Sequence, residues 1–215
     1  PRELVGKVGD AYRREVVPRF IDKACGSAAM KQGRDAAAAG LSGVVVEIGF
    51  GMGEATVAMA AADPDRDVLA VDVHTPGAGA LLRDVAAAGL VNVRVVLGDG
   101  RDVLRLLTPG TLDELRVFFP DPWPKTRHHK RRLLQAPFFV ELARVLARDG
   151  RLFFASDWAD YADEVAALVE TLPGWCNLAG PLRRAPRPKA RVLTKFERRA
   201  IREGRVVADF VFARR

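Results

Sequence analysis

The 215-residue sequence predicts an α/β fold, a mostly parallel sheet with helices packed against it, in one domain with a short N-terminal appendage. Three observations lead there. At roughly 150 residues per domain, the length leaves room for one domain and an extension but not for two full domains. With 49% hydrophobic and 28% charged residues, the composition is that of a globular chain able to bury a core, which excludes disorder as its main theme. From Val44 onward, short apolar runs alternate with helical patterns, the sequence mark of consecutive βαβ units.

Residues 1–43 are weakly patterned, with a charged stretch from Tyr12 to Arg19 interrupted by Pro18 and an alanine run from Ala36 to Ala39. They read as a helical or partly mobile extension, and residues 44–215 as the folded domain. Val44 to Ile48 is a buried strand, followed by glycines and a helix from about Met52 to Ala62 that ends near Asp63-Pro64. Val68 to Val71 is the second strand, with a helix to about Ala88 and a stop at Gly89. Val93 to Leu97 and Leu115 to Phe119 are the third and fourth strands. A helix from about Arg132 to Ala147 leads to the fifth strand, Arg151 to Ala155, and a further helix fills Tyr161 to Leu172. Pro181 to Arg191 reads as a loop and Val206 to Phe212 as a closing strand.

No run reaches the ~18 consecutive apolar residues of a membrane helix, because Glu47, Glu54, Asp63 and Asp72 break the most apolar stretch. No secretory signal opens the sequence, which begins at Pro1. Cys25 and Cys176 are far apart and lack a histidine cluster, so neither a disulfide framework nor a zinc site is expected. These features together suit a cytoplasmic protein without a metal or membrane partner.

The net charge of +7 is concentrated. Between Trp123 and Leu134 stand Lys125, Arg127, Lys130, Arg131 and Arg132 with two histidines and no acid. Between Arg183 and Arg205 ten basic residues face only Glu197 and Glu203, so the two segments carry +13 and the rest of the chain −6. Clustered basic charge points to a polyanion such as nucleic acid, the alternative being two solvated faces.

Several constellations carry chemistry. Glu47-Ile48-Gly49-Phe50-Gly51-Met52-Gly53 closes the first strand, where glycines let the backbone turn and approach a ligand. A dinucleotide fingerprint would need glycine at Glu54, and a carboxylate two residues before the first glycine suits an ammonium better than a pyrophosphate. Asp72, ending the second strand, could accept two ribose hydroxyls, and Asp99 ends the third. Acids ending three adjacent strands converge on one crevice, which fits an adenosine compound carrying a cation; S-adenosylmethionine is that compound.

Phe118-Phe119-Pro120-Asp121-Pro122-Trp123-Pro124-Lys125 ends the fourth strand. Two prolines restrict Asp121, as suits a carboxylate held beside a reacting centre, and Trp123 offers a stacking face for a nucleobase. The motif runs into Thr126-Arg127-His128-His129-Lys130-Arg131-Arg132, placed to hold phosphates. Asp157 in Ser156-Asp157-Trp158 follows the fifth strand, with a helix N-cap as its plainer reading. Thr194-Lys195-Phe196-Glu197 lies within the basic C-terminal stretch.

Taken together, from about Val44 to the end, these residues resemble the bacterial tRNA (guanine-N7-)-methyltransferase family. The likeness rests on Glu47 to Gly53, Val73-His74 with Pro76-Gly77, Phe119 to Lys125, Arg127-His128 with Lys130 to Arg132, and Thr194 to Glu197. It implies a Rossmann-like class I methyltransferase domain over residues 44–215: a mostly parallel seven-stranded sheet, helices on both faces and an antiparallel C-terminal strand. It implies methylation of a variable-loop guanine in tRNA. Glu47, Gly49, Gly51, Gly53, Asp72, Asp99 and Asp121 would surround S-adenosylmethionine, with Asp121 also catalytic. Lys125, Asp157, Thr194, Lys195, Phe196 and Glu197 would contact the substrate, and Arg127, His128, Lys130, Arg131 and Arg132 the RNA. Three features depart from the family pattern: Asp72 where Glu is more usual, Ala200 where Gly usually follows the Thr-Lys-Phe-Glu motif, and an opening without the expected arginines. The other readings are a methyltransferase for a different base nitrogen and a non-catalytic RNA-binding protein of the same fold.

Overall fold

A computed structural model describes residues 43–214. The extension at 1–42 lies outside the described residues. The elements run β1 (Val44–Ile48), α1 (Glu54–Ala61), β2 (Asp67–Asp72), α2 (Thr75–Ala87), β3 (Val93–Leu97), α3 (Gly100–Leu106) and β4 (Leu112–Phe118). A 3-10 helix (Thr126–Arg131), α4 (Ala136–Val145), β5 (Leu146–Ser156), α5 (Ala159–Thr171), β6 (Trp175–Asn177), α6 (Lys195–Arg202) and β7 (Ala208–Arg214) follow.

The seven strands lie in the order β3-β2-β1-β4-β5-β7-β6. β1 to β5 are parallel, and β7 inserts antiparallel between β5 and β6. Successive residues alternate faces in a strand, and the two cores follow that alternation. Val45, Val68 and Ala70 pack with Leu81 and Val85 of α2 on one face. Val46, Leu69 and Val71 pack on the other with Val103, Phe139, Leu142, Tyr161 and Val165 from α3, α4 and α5. Phe139, fully buried, meets Phe138, Trp175 and Phe212 edge-on at 6.2, 5.1 and 6.4 Å, so β6 and β7 are sealed onto α4 by aromatic contact. Both faces are therefore covered, as a parallel sheet requires.

The structure adds elements that the sequence pattern did not resolve. α3 opens on Gly100 and has seven residues, and β6 has three, too short for periodicity to register. α4 starts at Ala136 and not at Arg132, because the 3-10 helix holds Thr126 to Arg131 and Pro137 opens the α-helix. α6 emerges from the basic run with Thr194 as its N-cap, accepting the Glu197 N–H at 3.3 Å. Among the described residues no helix is long and apolar enough to cross a membrane.

Candidate active site

The sheet order reverses between β1 and β4, and ligands of open α/β sheets sit at the carboxyl edge beside that point. A cavity of about 610 Å³ opens there, lined by the glycine turn after β1 and by Asp72, Asp99, Asp121, Trp123 and Phe196. The turn depends on its glycines: Gly49, Gly51 and Gly53 have φ of +88°, +58° and +87°, the left-handed region that side chains disfavour. α2 packs tightly onto it, since a Cβ on Gly77 would lie 1.8 Å from the Gly51 carbonyl oxygen. Asp72 accepts the Gly51 N–H at 2.8 Å and the His74 N–H at 3.0 Å, so its carboxylate ties the turn to the end of β2 while facing the cavity. Asp99 caps α3 through the Arg101 N–H at 2.9 Å and pairs with the Arg101 guanidinium at 2.6 Å.

Glu47 lines the cavity floor and is only 2% exposed. Its Oε2 is buried without a hydrogen-bond partner among the described residues. Burial pushes its carboxyl above the ordinary value, while Arg116 and the Thr56 hydroxyl pull it back. A buried carboxylate that lines a cavity and lacks a full set of hydrogen-bond partners is chemically matched to a cationic amine.

Asp121 sits at the rim, exposed, between Pro120 and Pro122. The loop is bent at both flanks: Phe119 and Trp123 have φ of +53° and +46°, strained values for bulky residues. Three interactions hold that shape. The Phe119 N–H donates to Ala155 O at 2.8 Å, and Arg132 Nε donates to Pro122 O at 2.9 Å. The buried Arg191 guanidinium lies 4.9 and 5.4 Å from the Phe118 and Phe119 ring centres. At the outer edge Arg131 stacks over Trp123 at 4.9 Å, and His128 meets the same ring edge-on at 5.9 Å.

Over residues 42–210 the sequence matches the protein family described as "Putative methyltransferase". A tRNA (guanine-N(7)-)-methyltransferase of Thiobacillus denitrificans is 45% identical over 214 residues, covering 98% of this chain and 92% of that protein. The chain belongs to the tRNA (guanine-N7-)-methyltransferase family. A relative of the same name from Streptomyces avermitilis is 52% identical over 173 residues, or 80% of this chain and 59% of that longer protein. Among solved structures, the 16S rRNA methyltransferase KamB superposes with a TM-score of 0.58 at 21% identity, covering 87% of this chain and 93% of its own. TrmN from Thermus thermophilus superposes with a TM-score of 0.55 at 19% identity, covering 87% and 48%. Identities this low speak for the fold alone, that of the class I methyltransferases.

Within this member of the tRNA (guanine-N7-)-methyltransferase family, the motif residues divide into those at the cavity and those built into its walls. Thr194, Lys195 and Phe196 line the cavity, with Lys195 Nζ 5.2 Å from the Phe196 ring. Glu197 does not: it is buried and pairs with Arg187 at 2.7 Å and Arg191 at 3.3 Å. Asp157 neither caps α5 nor lines the cavity but pairs with Arg205 at 2.8 Å, the N-cap position being Trp158. Lys125, Arg127 and Lys130 are exposed, and His128 is half-buried.

Arg132, expected among the RNA contacts, lies inside the protein. Its side chain is 0% exposed, so it cannot reach a phosphate in this conformation. It bonds Glu164 and, at 2.5 Å, Asp160, donates to Pro122 O, and lies 4.9 Å from the Tyr161 ring centre. His129, Asp160 and Glu164 bring possible metal-ligand atoms within 4.8 Å of one another, but both acids are engaged by Arg132. Arg191 was missed as a site residue: fully buried and paired with Asp209 at 2.7 Å, it reads in sequence as one more solvated charge.

Proposed function

We propose that this protein transfers a methyl group from S-adenosylmethionine to N7 of a variable-loop guanine in tRNA, in the cytoplasm. One observation carries the reading: Asp121, Trp123 and Arg131 line the same cavity as Glu47, a buried carboxylate with one oxygen lacking a hydrogen-bond partner among the described residues. The protein therefore has a place for a cationic nucleoside amino acid and, beside it, a place for a base entering from a polyanion. The name shared by relatives at 45–52% identity supports both the reaction and the acceptor.

The residues fit the donor. Glu47 would accept from its amine and Asp72 from the ribose, and Gly49, Gly51 and Gly53 line the cavity without side chains to obstruct it. When bound, the sulfonium supplies an electrophilic methyl group. N7 of guanine has a lone pair and no proton, so attack needs no base to deprotonate that atom. The protein's work is then positioning, which can contribute about 7–11 kcal/mol in well-oriented cases, and electrostatic support. Asp121 carries the negative charge beside the purine as positive charge develops there. Trp123, backed by Arg131, offers an aromatic face for a base drawn out of its stack, as N7 is hidden in the deep groove of A-form RNA. Exposed Arg127, Lys130 and Arg131 would hold the adjoining phosphates.

The test is transfer of labelled methyl from S-adenosylmethionine to unmodified tRNA with guanine in the variable loop, beside the same tRNA with adenine there. Label on the first only, recovered as 7-methylguanine, is the expected result. Equal label on both, or another methylated base, would refute the assignment.

A further inference from the structure

Glu47 and Arg116 occupy paired positions on β1 and β4, so they stand side by side on one face of the sheet, with strands about 4.8 Å apart. Each is 2% exposed. Each also keeps a buried polar atom without a hydrogen-bond partner among the described residues, Oε2 of Glu47 and Nη1 of Arg116. Arg116 donates through Nε to Glu114 at 2.5 Å, and Glu114 is held independently by Arg66 at 2.7 Å. Arg66 is shared between Glu114 and Asp63, so Arg116 serves Glu114 through Nε while its Nη1 remains without a partner. The groups acting on Glu47 are Arg116 and Glu114 from β4, Asp72 from β2 and the Thr56 hydroxyl from α1. Arg116 is the sole cation of that set, and the two other carboxylates oppose ionisation of Glu47.

We infer that Arg116 is a positioning residue of the donor site, a buried cation beside Glu47 that favours the charged form of that carboxyl and so its acceptance of the amine of the ligand. The inference rests on the reading of the cavity as the S-adenosylmethionine site. The sign follows from linkage. Without Arg116 the free Glu47 carboxyl titrates higher, and below that value an incoming ammonium must first expel a proton. Affinity is then lost at low pH and regained as pH rises, about tenfold for each unit that the carboxyl lies above the working pH.

Calorimetry of S-adenosylhomocysteine binding to the full chain tests this between pH 5.5 and 8, in two buffers of different ionisation enthalpy. The wild type should show a shallower pH dependence and less proton release than Arg116→Gln, since only the variant lacks the cation that opposes the effect of burial on Glu47. Arg116→Gln should bind about tenfold or more weakly at pH 6, recover with rising pH, and release up to about one proton per ligand bound. Arg116→Lys should restore the wild-type profile, and Glu47→Gln should be weak at every pH. Wild-type affinity in Arg116→Gln, or one uniform loss at all pH values without proton release, would overturn the inference and leave the donor-site reading standing. A wild type that does not bind S-adenosylhomocysteine would overturn both.

Discussion

Arg132→Gln separates two jobs that a basic residue beside the Asp121 loop could have. If Arg132 is a strut, the substitution breaks its bonds to Pro122 O, Asp160 and Glu164 and its contact with the Tyr161 ring. A charge-assisted hydrogen bond to a carbonyl contributes about 1.5–3 kcal/mol and a desolvated cation–π contact about 2. The two acids are 61% and 45% exposed, so each pair is screened and contributes about 0.5 kcal/mol. The loss should be about 4.5–6 kcal/mol, at or slightly above the range for breaking a buried pair, and should lower Tm by roughly 9–24 °C for a domain of this size. Turnover should also fall about 10–100-fold, since a loop freed by ~1 Å misplaces Asp121. Affinity for tRNA and its salt dependence should stay at wild-type values where the variant is folded. A pH signature accompanies this. The hydrogen bond from Arg132 lowers the Asp160 carboxyl below its ordinary value, so the pair stabilises fully above the ordinary carboxylate range and fades as pH falls through the lowered value. Melting curves across acidic pH should show that limb in the wild type and not in Arg132→Gln. The reasoning is refuted if the variant melts with the wild type yet loses tRNA affinity and about one unit of salt slope.

Asp121 makes no hydrogen bond among the described residues, so Asp121→Ala should leave Tm within about 1 °C while cutting turnover by roughly 10²–10³-fold; wild-type turnover in a labelled-methyl assay would sink its catalytic role. Replacing Arg127 and Arg131 by Gln should weaken tRNA binding and reduce the slope of log K against log salt by about two, with S-adenosylhomocysteine affinity unchanged by calorimetry. Gly77→Ala should cost about 1–3 kcal/mol in denaturant unfolding and impair cofactor binding, because its Cβ meets the Gly51 backbone. Gly79→Ala, two residues along the same helix and open to solvent, should instead be neutral or stabilising by about 0.5–1 kcal/mol.

How much was legible in the sequence depends on the range over which each feature is determined. The strands after which Glu47, Asp72, Asp99 and Asp121 stand were legible because burial and periodicity are local, and strand ends of a parallel sheet share one edge. That logic brought those four to one cavity. The fates of Arg132, Asp157 and Glu197 were not legible, because each is decided by a partner distant in sequence. Arg132 finds Asp160 and Glu164 in the next helix but one, Asp157 finds Arg205, and Glu197 shares Arg191 with Asp209. α6 was hidden for a related reason. Its run Lys195–Arg202 buries only Glu197 and Ala200, so it carries almost no apolar stripe to detect. Ala200, where the family pattern favours Gly, is fully buried in that helix.

The two basic segments show why charge clustering alone misdirects. Six of their fifteen cations are turned to acids: Arg132, Arg187, Arg191, Arg198, Arg199 and Arg205. All six are arginines. The four lysines, Lys125, Lys130, Lys189 and Lys195, are exposed and have no acidic partner among the described residues. The physical basis is the guanidinium, whose planar fork can bond two carboxylates or a carboxylate and a carbonyl at once while stacking on a ring, whereas a compact ammonium holds its water. Arg132 and Arg191 do this at opposite sides of the Asp121 loop, one at Pro122 O and the other on the Phe118 and Phe119 rings. The rule runs one way, since Arg127, Arg131, Arg183, Arg184 and Arg202 also face outward. A basic charge run thus contains both outward-facing cations and struts that keep the Asp121 loop in shape, and residue type narrows which is which without deciding it.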